Sequence, residues 1–275
     1  MGKVATLRRA VSELTAIRAN TQRYSPHPPS DGLVVEIGGG QSPYSRADVV
    51  IDKYVADDFE RPGASAMSFE RPLVVGDGEC IPIRDKAAVY SIASHVLEHA
   101  SDPVAFAAEL SRISAAGYVE VPSRQAELTF GWPFHPWLID CDSQMLVFYP
   151  RRELTAPVGD DHHRLFHGSV LYALMHQAHR HVWHHAVEWS DSLQVRVEGA
   201  SVAPQAAVFD LDATIATLER AATAQFDDAL IQYLACPVCT GHVTTQGHST
   251  LICFDCDRRY PFINQVPILV REAAN

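Results

Sequence analysis

Near the start of the chain, apolar residues recur at spacings of three and four: Val4, Leu7, Val11, Leu14 and Ile17. That period predicts an amphipathic helix, with Lys3, Arg8, Arg9 and Arg18 off its apolar stripe. Pro26, Pro28 and Pro29 break it. The pattern then changes to short, continuous apolar runs. Gly32-Leu-Val-Val-Glu-Ile, Asp48-Val-Val-Ile-Asp52, Leu73-Val-Val, Val89-Tyr-Ser-Ile-Ala and Gly117-Tyr-Val-Glu-Val read as buried strands. Asp102 to Ile113 reads as a helix, with Asp102 as its cap and Pro103 in its first turn. Strands alternating with helices predict an α/β fold built on a doubly wound, mostly parallel sheet. Residues 170–185 and 211–234 read as two further helices, the second leading into a pair of cysteines.

Length and charge narrow the function classes. A chain of 275 residues suggests one large domain and one small one. The 47% hydrophobic content excludes a disordered chain. A net charge of −11 argues against a nucleic-acid partner, because neutralising phosphates takes clustered basic side chains. No run approaches the roughly 18 apolar residues of a membrane span, and the N-terminus lacks the apolar core of a signal peptide. The expectation is a cytoplasmic protein with no membrane partner; the oligomeric state is open.

Six cysteines are unevenly placed. Cys80 and Cys141 stand alone, whereas Cys236-Pro-Val-Cys239 and Cys253-Phe-Asp-Cys256 are two pairs separated by 13 residues. Two such knuckles suit tetrahedral Zn²⁺ held by Cys236, Cys239, Cys253 and Cys256. Forty-odd residues rarely fold without a staple, and a structural zinc supplies one for a ribbon over 233–275.

The run Glu36-Ile-Gly38-Gly39-Gly40 is a strand-to-loop turn where backbone can approach a ligand closely. A dinucleotide fingerprint would place a third Gly where Pro43 stands. Asp52 ends the second strand, where a carboxylate can accept from ribose hydroxyls. Asp77, in Val75-Gly-Asp-Gly78-Glu79, follows the third strand and could accept from an adenine amino group. S-adenosylmethionine carries a sulfonium and an ammonium and lacks a pyrophosphate, so a ring of carboxylates favours it over a dinucleotide. Only eight residues, Gln41 to Asp48, separate the turn from the next strand, so the first crossover is either very short or irregular.

Glu36-Ile-Gly-Gly-Gly, Asp52, Asp77 and Ser91-Ile-Ala-Ser-His-Val-Leu-Glu-His99 with Asp102-Pro103 resemble class I S-adenosylmethionine-dependent methyltransferases. The resemblance covers roughly residues 30–123. It implies a Rossmann-like, seven-stranded sheet with the cofactor over the strand C-terminal ends. Glu36, Gly38, Gly40, Asp52, Asp77 and Gly78 would hold the cofactor, and Ser94 and His95 would border its methyl end. The implied division is an N-terminal helix over 1–30, a methyltransferase domain over 31–232 and an acceptor-side insertion over about 124–200. The segment from Leu234-Ala-Cys-Pro-Val-Cys to Val266-Pro-Ile-Leu is similar to the small zinc-ribbon subunit that activates eukaryotic tRNA, rRNA and release-factor methyltransferases. That similarity implies a stabilising role for the ribbon.

Methyl transfer to a hydroxyl gains from a general base, and His is the usual one near neutral pH. His95, His135 and His163 are the candidate catalytic residues. His95, Glu98 and His99, at i, i+3 and i+4, would share one face of a helical turn and could hold a divalent cation. His135 sits in an aromatic loop with Trp132, Phe134 and Trp137, where it could equally be a hydrogen-bonded core residue. His163 belongs to the cluster Asp161-His162-His163 with His167, after Pro157 and Gly159. His176, His179, His181, His184 and His185 read as a solvated helical face, and Arg151 and Arg152 as either an anion site or surface ion pairs. The expected acceptor is a hydroxyl of a small molecule or sugar. An RNA or protein acceptor, or a non-catalytic binding module, are the alternatives.

Overall fold

The computed structural model describes residues 2–57, 67–151, 159–199, 208–247 and 249–274. Arg152 and Pro157 lie outside the described residues. Helix α1 (Gly2–Arg23) forms where the period predicts it. Asn20 on α1 donates to the carbonyls of Gln177 and Ala178, tying the helix to a later one at 2.8 Å each. Val11 and Leu14, from its predicted apolar stripe, remain exposed.

The apolar runs become β1 (Val34–Ile37), β2 (Val49–Asp52), β3 (Leu73–Gly76), β4 (Ala88–Ser94) and β5 (Ser114–Pro122). They pair in parallel in the order β3-β2-β1-β4-β5. Every residue of β1 and β3 is buried, as expected of strands covered on both faces. Helix α2 (Pro103–Ile113) is the connection between β4 and β5. Asp102 caps it by accepting from the amides of Val104 and Ala105, both at 3.0 Å. No helix lies between β1 and β2, and the crossover is a run of turns. It is held by side chains instead: Arg46 donates to the Ser30 and Gly32 carbonyls and to Asp48.

Beyond β5 the chain departs from the sequence reading. Helix α3 (Arg124–Phe130) leads to the strands β6 (Trp137–Asp142) and β7 (Met145–Pro150). The expected helix over 170–185 is interrupted. After α4 (Gly159–Gly168), α5 (Val170–Ala178) is followed by the single turn α6 (Arg180–Trp183), and His184 begins β8 (His184–Ser190). Strand β8 pairs antiparallel with β5 at the edge of the main sheet. Segment 124–200 is therefore not all insertion. Strand β9 (Val195–Val197) then joins β6 and β7 in a separate three-stranded sheet. The single helix expected over 211–234 is two, α7 (Leu211–Arg220) and α8 (Asp228–Ile231). The histidines expected on a solvated face also divide. His176 is buried and stacks on Trp183 with ring centroids 4.2 Å apart, and His184 and His185 lie on β8.

The cysteine-bearing segment forms β10 (Val243–Thr245), β11 (Thr250–Cys253), β12 (Arg259–Ile263) and β13 (Val266–Leu269). These pair antiparallel in succession, and β13 then pairs in parallel with β3. Among the described residues the main sheet therefore has ten strands, in the order β10-β11-β12-β13-β3-β2-β1-β4-β5-β8. The seven-stranded sheet implied by resemblance is corrected here. Six strands come from the chain before the cysteines, and the strand flanking β3 comes from the cysteine module. The two parts share one hydrophobic cluster, in which Val35, Leu97 and Leu110 are continuous with Leu234, Leu251 and Tyr260.

Candidate functional site

A cavity of about 530 Å³ opens at the C-terminal ends of β1 to β4. This is the side on which open parallel sheets bind ligands, where successive loops diverge. Its first wall is the glycine turn. Gly38 and Gly40 adopt φ values of +71° and +52°, a conformation that a side chain disfavours. The Gly38 amide donates to the Ile51 carbonyl at 2.8 Å, which binds the turn to β2. Glu36 is placed differently from the cavity's lining residues. It is buried behind the turn, and its Oε2 accepts from the Tyr44 amide at 2.7 Å. Burial pushes its carboxyl up to about 7, partly offset by that hydrogen bond.

The second wall is acidic. Asp52 closes β2 and accepts from the Tyr54 amide at 3.0 Å. Asp77 and Gly78 line the cavity after β3. Asp77 Oδ1 accepts from the Glu79 amide at 2.9 Å, and its Oδ2 from Lys53 at 2.6 Å. Glu79 and Asp57 also line the cavity. Glu79 Oε1 accepts from the amides of Ser101 and Asp102, which ties the loop after β3 to the start of α2. The sequence reading passed over Lys53, Asp57 and Glu79, although Lys53 and Glu79 sit beside residues it selected. Lys53 also reaches Glu272 at 3.0 Å, so the acidic wall is tied directly to the end of the cysteine module.

Ser94 and His95 line the third wall, at the end of β4. His95 has φ +56°, which turns the chain out of helical register before the short 3-10 turn Leu97–His99. For that reason His95, Glu98 and His99 do not form the single ligand set expected of one helical face. The structure divides them between two clusters, His95 with Glu120 and His184, and Glu98 and His99 with His135. His95 Nε2 lies 3.4 Å from Glu120, and its Nδ1 3.4 Å from Glu98. Desolvation favours neutral His95, but these two carboxylates outweigh it and raise its pKa. With both ring nitrogens facing carboxylates, His95 is poorly placed to act as a free base.

The other two histidines are not among the residues that line the cavity. His135 is 6% exposed, and its Nδ1 is 2.6 Å from Glu127. Burial pushes His135 down to about 3 and Glu127 up to about 9. His163, on α4, packs its ring on Phe130 and places Nε2 3.2 Å from the Phe130 carbonyl. Arg151 is half-buried and donates to the Trp132 carbonyl, a structural role that differs from both readings considered for it. Trp137 is buried too, and its indole donates to the Ala100 carbonyl at 2.7 Å, anchoring the chain beside the cavity.

Outside this cavity, the four cysteines converge. Sγ separations are 3.7 Å for Cys236–Cys256, 3.5 Å for Cys239–Cys253 and 3.4 Å for Cys239–Cys256. Disulfide sulfurs sit about 2.05 Å apart, so these are free thiols. Four sulfurs about 2.3 Å from a tetrahedral Zn²⁺ lie roughly 3.8 Å from each other, which this cluster nearly matches. The donor set therefore fits a structural zinc.

Residues 227–264 match the family of Trm112p-like proteins. No curated protein matches the chain in sequence. Among solved structures, the chain is similar to an S-adenosylmethionine-dependent methyltransferase from Thermotoga maritima, at 19% identity and a TM-score of 0.28, over 42% of this chain and 52% of that one. It is also similar to the complex between the Haloferax volcanii Trm112 methyltransferase activator and a candidate methyltransferase, at 12% identity and a TM-score of 0.35, over 69% and 93%. A third is an S-adenosylmethionine-dependent methyltransferase from Mesorhizobium loti, at 14% identity and a TM-score of 0.30, over 60% and 80%. The chain spans about half the length of the Thermotoga protein, and superpositions this loose carry no argument about activity.

Proposed function

We propose that this protein is an S-adenosylmethionine-dependent methyltransferase whose acceptor is a hydroxyl of a small molecule or sugar. The observation that carries the reading is the charge of the cavity at the glycine turn. Among the described residues that line it, Asp52, Asp57, Asp77 and Glu79 face Lys53 and His95, whose nitrogens already sit against Asp77 and against Glu98 and Glu120 respectively. Such a wall attracts a sulfonium and an ammonium and repels a pyrophosphate. Asp52 at the end of β2 would accept from the ribose hydroxyls, and Asp77 from the adenine edge. Gly38 and Gly40 would let backbone approach the cofactor. Ser94 and His95 would border the methyl end, with His95 held in place by Glu98 and Glu120. Alignment of nucleophile and methyl is the main demand of an in-line displacement at an activated carbon.

In the proposed division of labour, residues 31–232 bind cofactor and acceptor. The ribbon over 233–275 holds Zn²⁺ through its four cysteines and braces β3 through β13. Asp52→Asn tests the cofactor assignment. Losing hydrogen bonds to a charged carboxylate costs about 1.5–3 kcal/mol, so affinity for S-adenosylhomocysteine should fall about 10- to 150-fold. Unchanged affinity would remove Asp52 from the site.

A further inference from the structure

We infer that Glu98, His99 and His135 form a binding site for a divalent transition-metal ion at the wall of the same cavity, separate from the cysteine cluster. One ligand atom from each of the three lies within 4.8 Å of the others. Glu98 and His99 come from the 3-10 turn after β4, and His135 from the loop between α3 and β6. His99 lines the cavity, so the site borders the space in which a substrate would sit.

Three details distinguish this cluster from an ordinary buried charge network. The first is Glu98, which is 1% exposed. Its Oε1 faces His95, while its Oε2 is buried with no hydrogen-bond partner among the described residues. A buried carboxylate oxygen needs a donor or a cation. The second is the Glu127–His135 pair. With Nδ1 engaged by Glu127 at 2.6 Å, His135 keeps Nε2 as its ligand atom. A carboxyl oxygen on the far nitrogen is the arrangement that sets the tautomer and angle of metal-bound histidines. Glu127 is itself steadied by Arg151, whose Nη1 lies 3.5 Å from Oε2. The third is ring packing. His99 stacks on Phe134 and meets His135 edge-on, with centroids 4.6 Å apart at 89°. Both imidazoles are thus held in place before any ion arrives.

Two imidazoles and one carboxylate suit Zn²⁺, Fe²⁺ or Mn²⁺, whereas Ca²⁺ and Mg²⁺ ask for more oxygens. The neighbouring cluster of His95, Glu120 and His184 is a poorer site, because Arg180 already occupies Glu120 Oε1 at 2.5 Å. On the methyl-transfer reading, an ion here would act as a Lewis acid on the acceptor hydroxyl. That use rests on the proposed function; the metal site does not.

The test is Co²⁺ loading of the full chain after metal removal. The expected count is two equivalents: one giving intense thiolate-to-cobalt bands in the near ultraviolet, the other only weaker visible bands from nitrogen and oxygen ligands. Glu98→Gln and His135→Gln should each lose the second equivalent and leave the thiolate bands intact, which also reports that the variant is folded. Glu127→Gln should weaken the second ion about 10- to 100-fold while keeping the site. Wild-type protein saturating at one equivalent would overturn the inference, whatever the variants do. So would two equivalents retained in both Glu98→Gln and His135→Gln. S-adenosylhomocysteine titration of the same samples reports separately on the cofactor reading, so failure of one is distinguishable from failure of the other.

Discussion

Gly38→Ala and Gly40→Ala form a matched pair that separates backbone strain from crowding in the glycine turn. Both residues have positive φ, so a Cβ at either position costs roughly 1–2 kcal/mol. Their surroundings differ. A Cβ on Gly38 would lie 2.7 Å from Val96 Cγ2 and 2.9 Å from Val96 Cβ. The second distance matters more, because rotating the valine cannot move its Cβ. A Cβ on Gly40 meets only the Gly38 carbonyl, at 3.7 Å. Overpacking costs typically about 1–3 kcal/mol, so Gly38→Ala should cost about 2–5 kcal/mol and Gly40→Ala about 1–2. With a slope of about 2 kcal/mol/M in urea, the two midpoints should differ by roughly 0.5–1.5 M. Val96 also lines the cavity, so Gly38→Ala should weaken S-adenosylhomocysteine binding more than Gly40→Ala does. Adding Val96→Ala to Gly38→Ala should recover part of the loss. Equal midpoints for the two single variants would refute the reasoning, since the Val96 contact would then carry no cost.

Three further outcomes are expected. Burial opposes ionisation of Glu120, but His95 and Arg180 outweigh it and hold its pKa at about 2, so its stabilisation is complete above pH 4.5 and lost as pH falls through 2. The shift corresponds to at most about 3 kcal/mol, and Glu120→Gln should flatten acid unfolding between pH 4.5 and 2; an unchanged slope there would count against it. Metal chelation or Cys239→Ser should lower the thermal midpoint and also weaken S-adenosylhomocysteine binding, because β13 pairs with β3 and Glu272 holds Lys53; calorimetry showing full affinity in chelated protein would contradict this coupling. Trp137→Phe leaves the Ala100 carbonyl without its indole donor and should cost about 1–3 kcal/mol in urea unfolding, with a loss below 0.5 kcal/mol assigning the contact no weight.

The parallel strands and α2 were legible because their signals are local. Continuous apolar runs, a capping Asp102 and a Pro103 in the first turn need no distant partner. The cysteine cluster was legible because spacing alone brings two knuckles together. What escaped the sequence depends on contacts distant along the chain. His184 sits in a segment of helical period, yet seven register pairs with β5 draw residues 184–190 into a strand. Nothing in the spacing of the ribbon indicates that β13 will add to the edge of β3. His95, Glu98 and His99 have helical spacing, but the positive φ at His95 swings its ring toward Glu120 and His184. His135 became the partner of Glu98 and His99 only through the aromatic loop, which folds it back under Phe134.

Calorimetric titration of the purified chain with S-adenosylmethionine, S-adenosylhomocysteine and NAD⁺ in parallel tests the central claim most directly. The acidic cavity predicts dissociation constants on the order of micromolar for the two sulfur cofactors and no detectable binding of NAD⁺. Binding of NAD⁺, or no heat with either sulfur cofactor, would contradict the assignment of the glycine turn and its carboxylates.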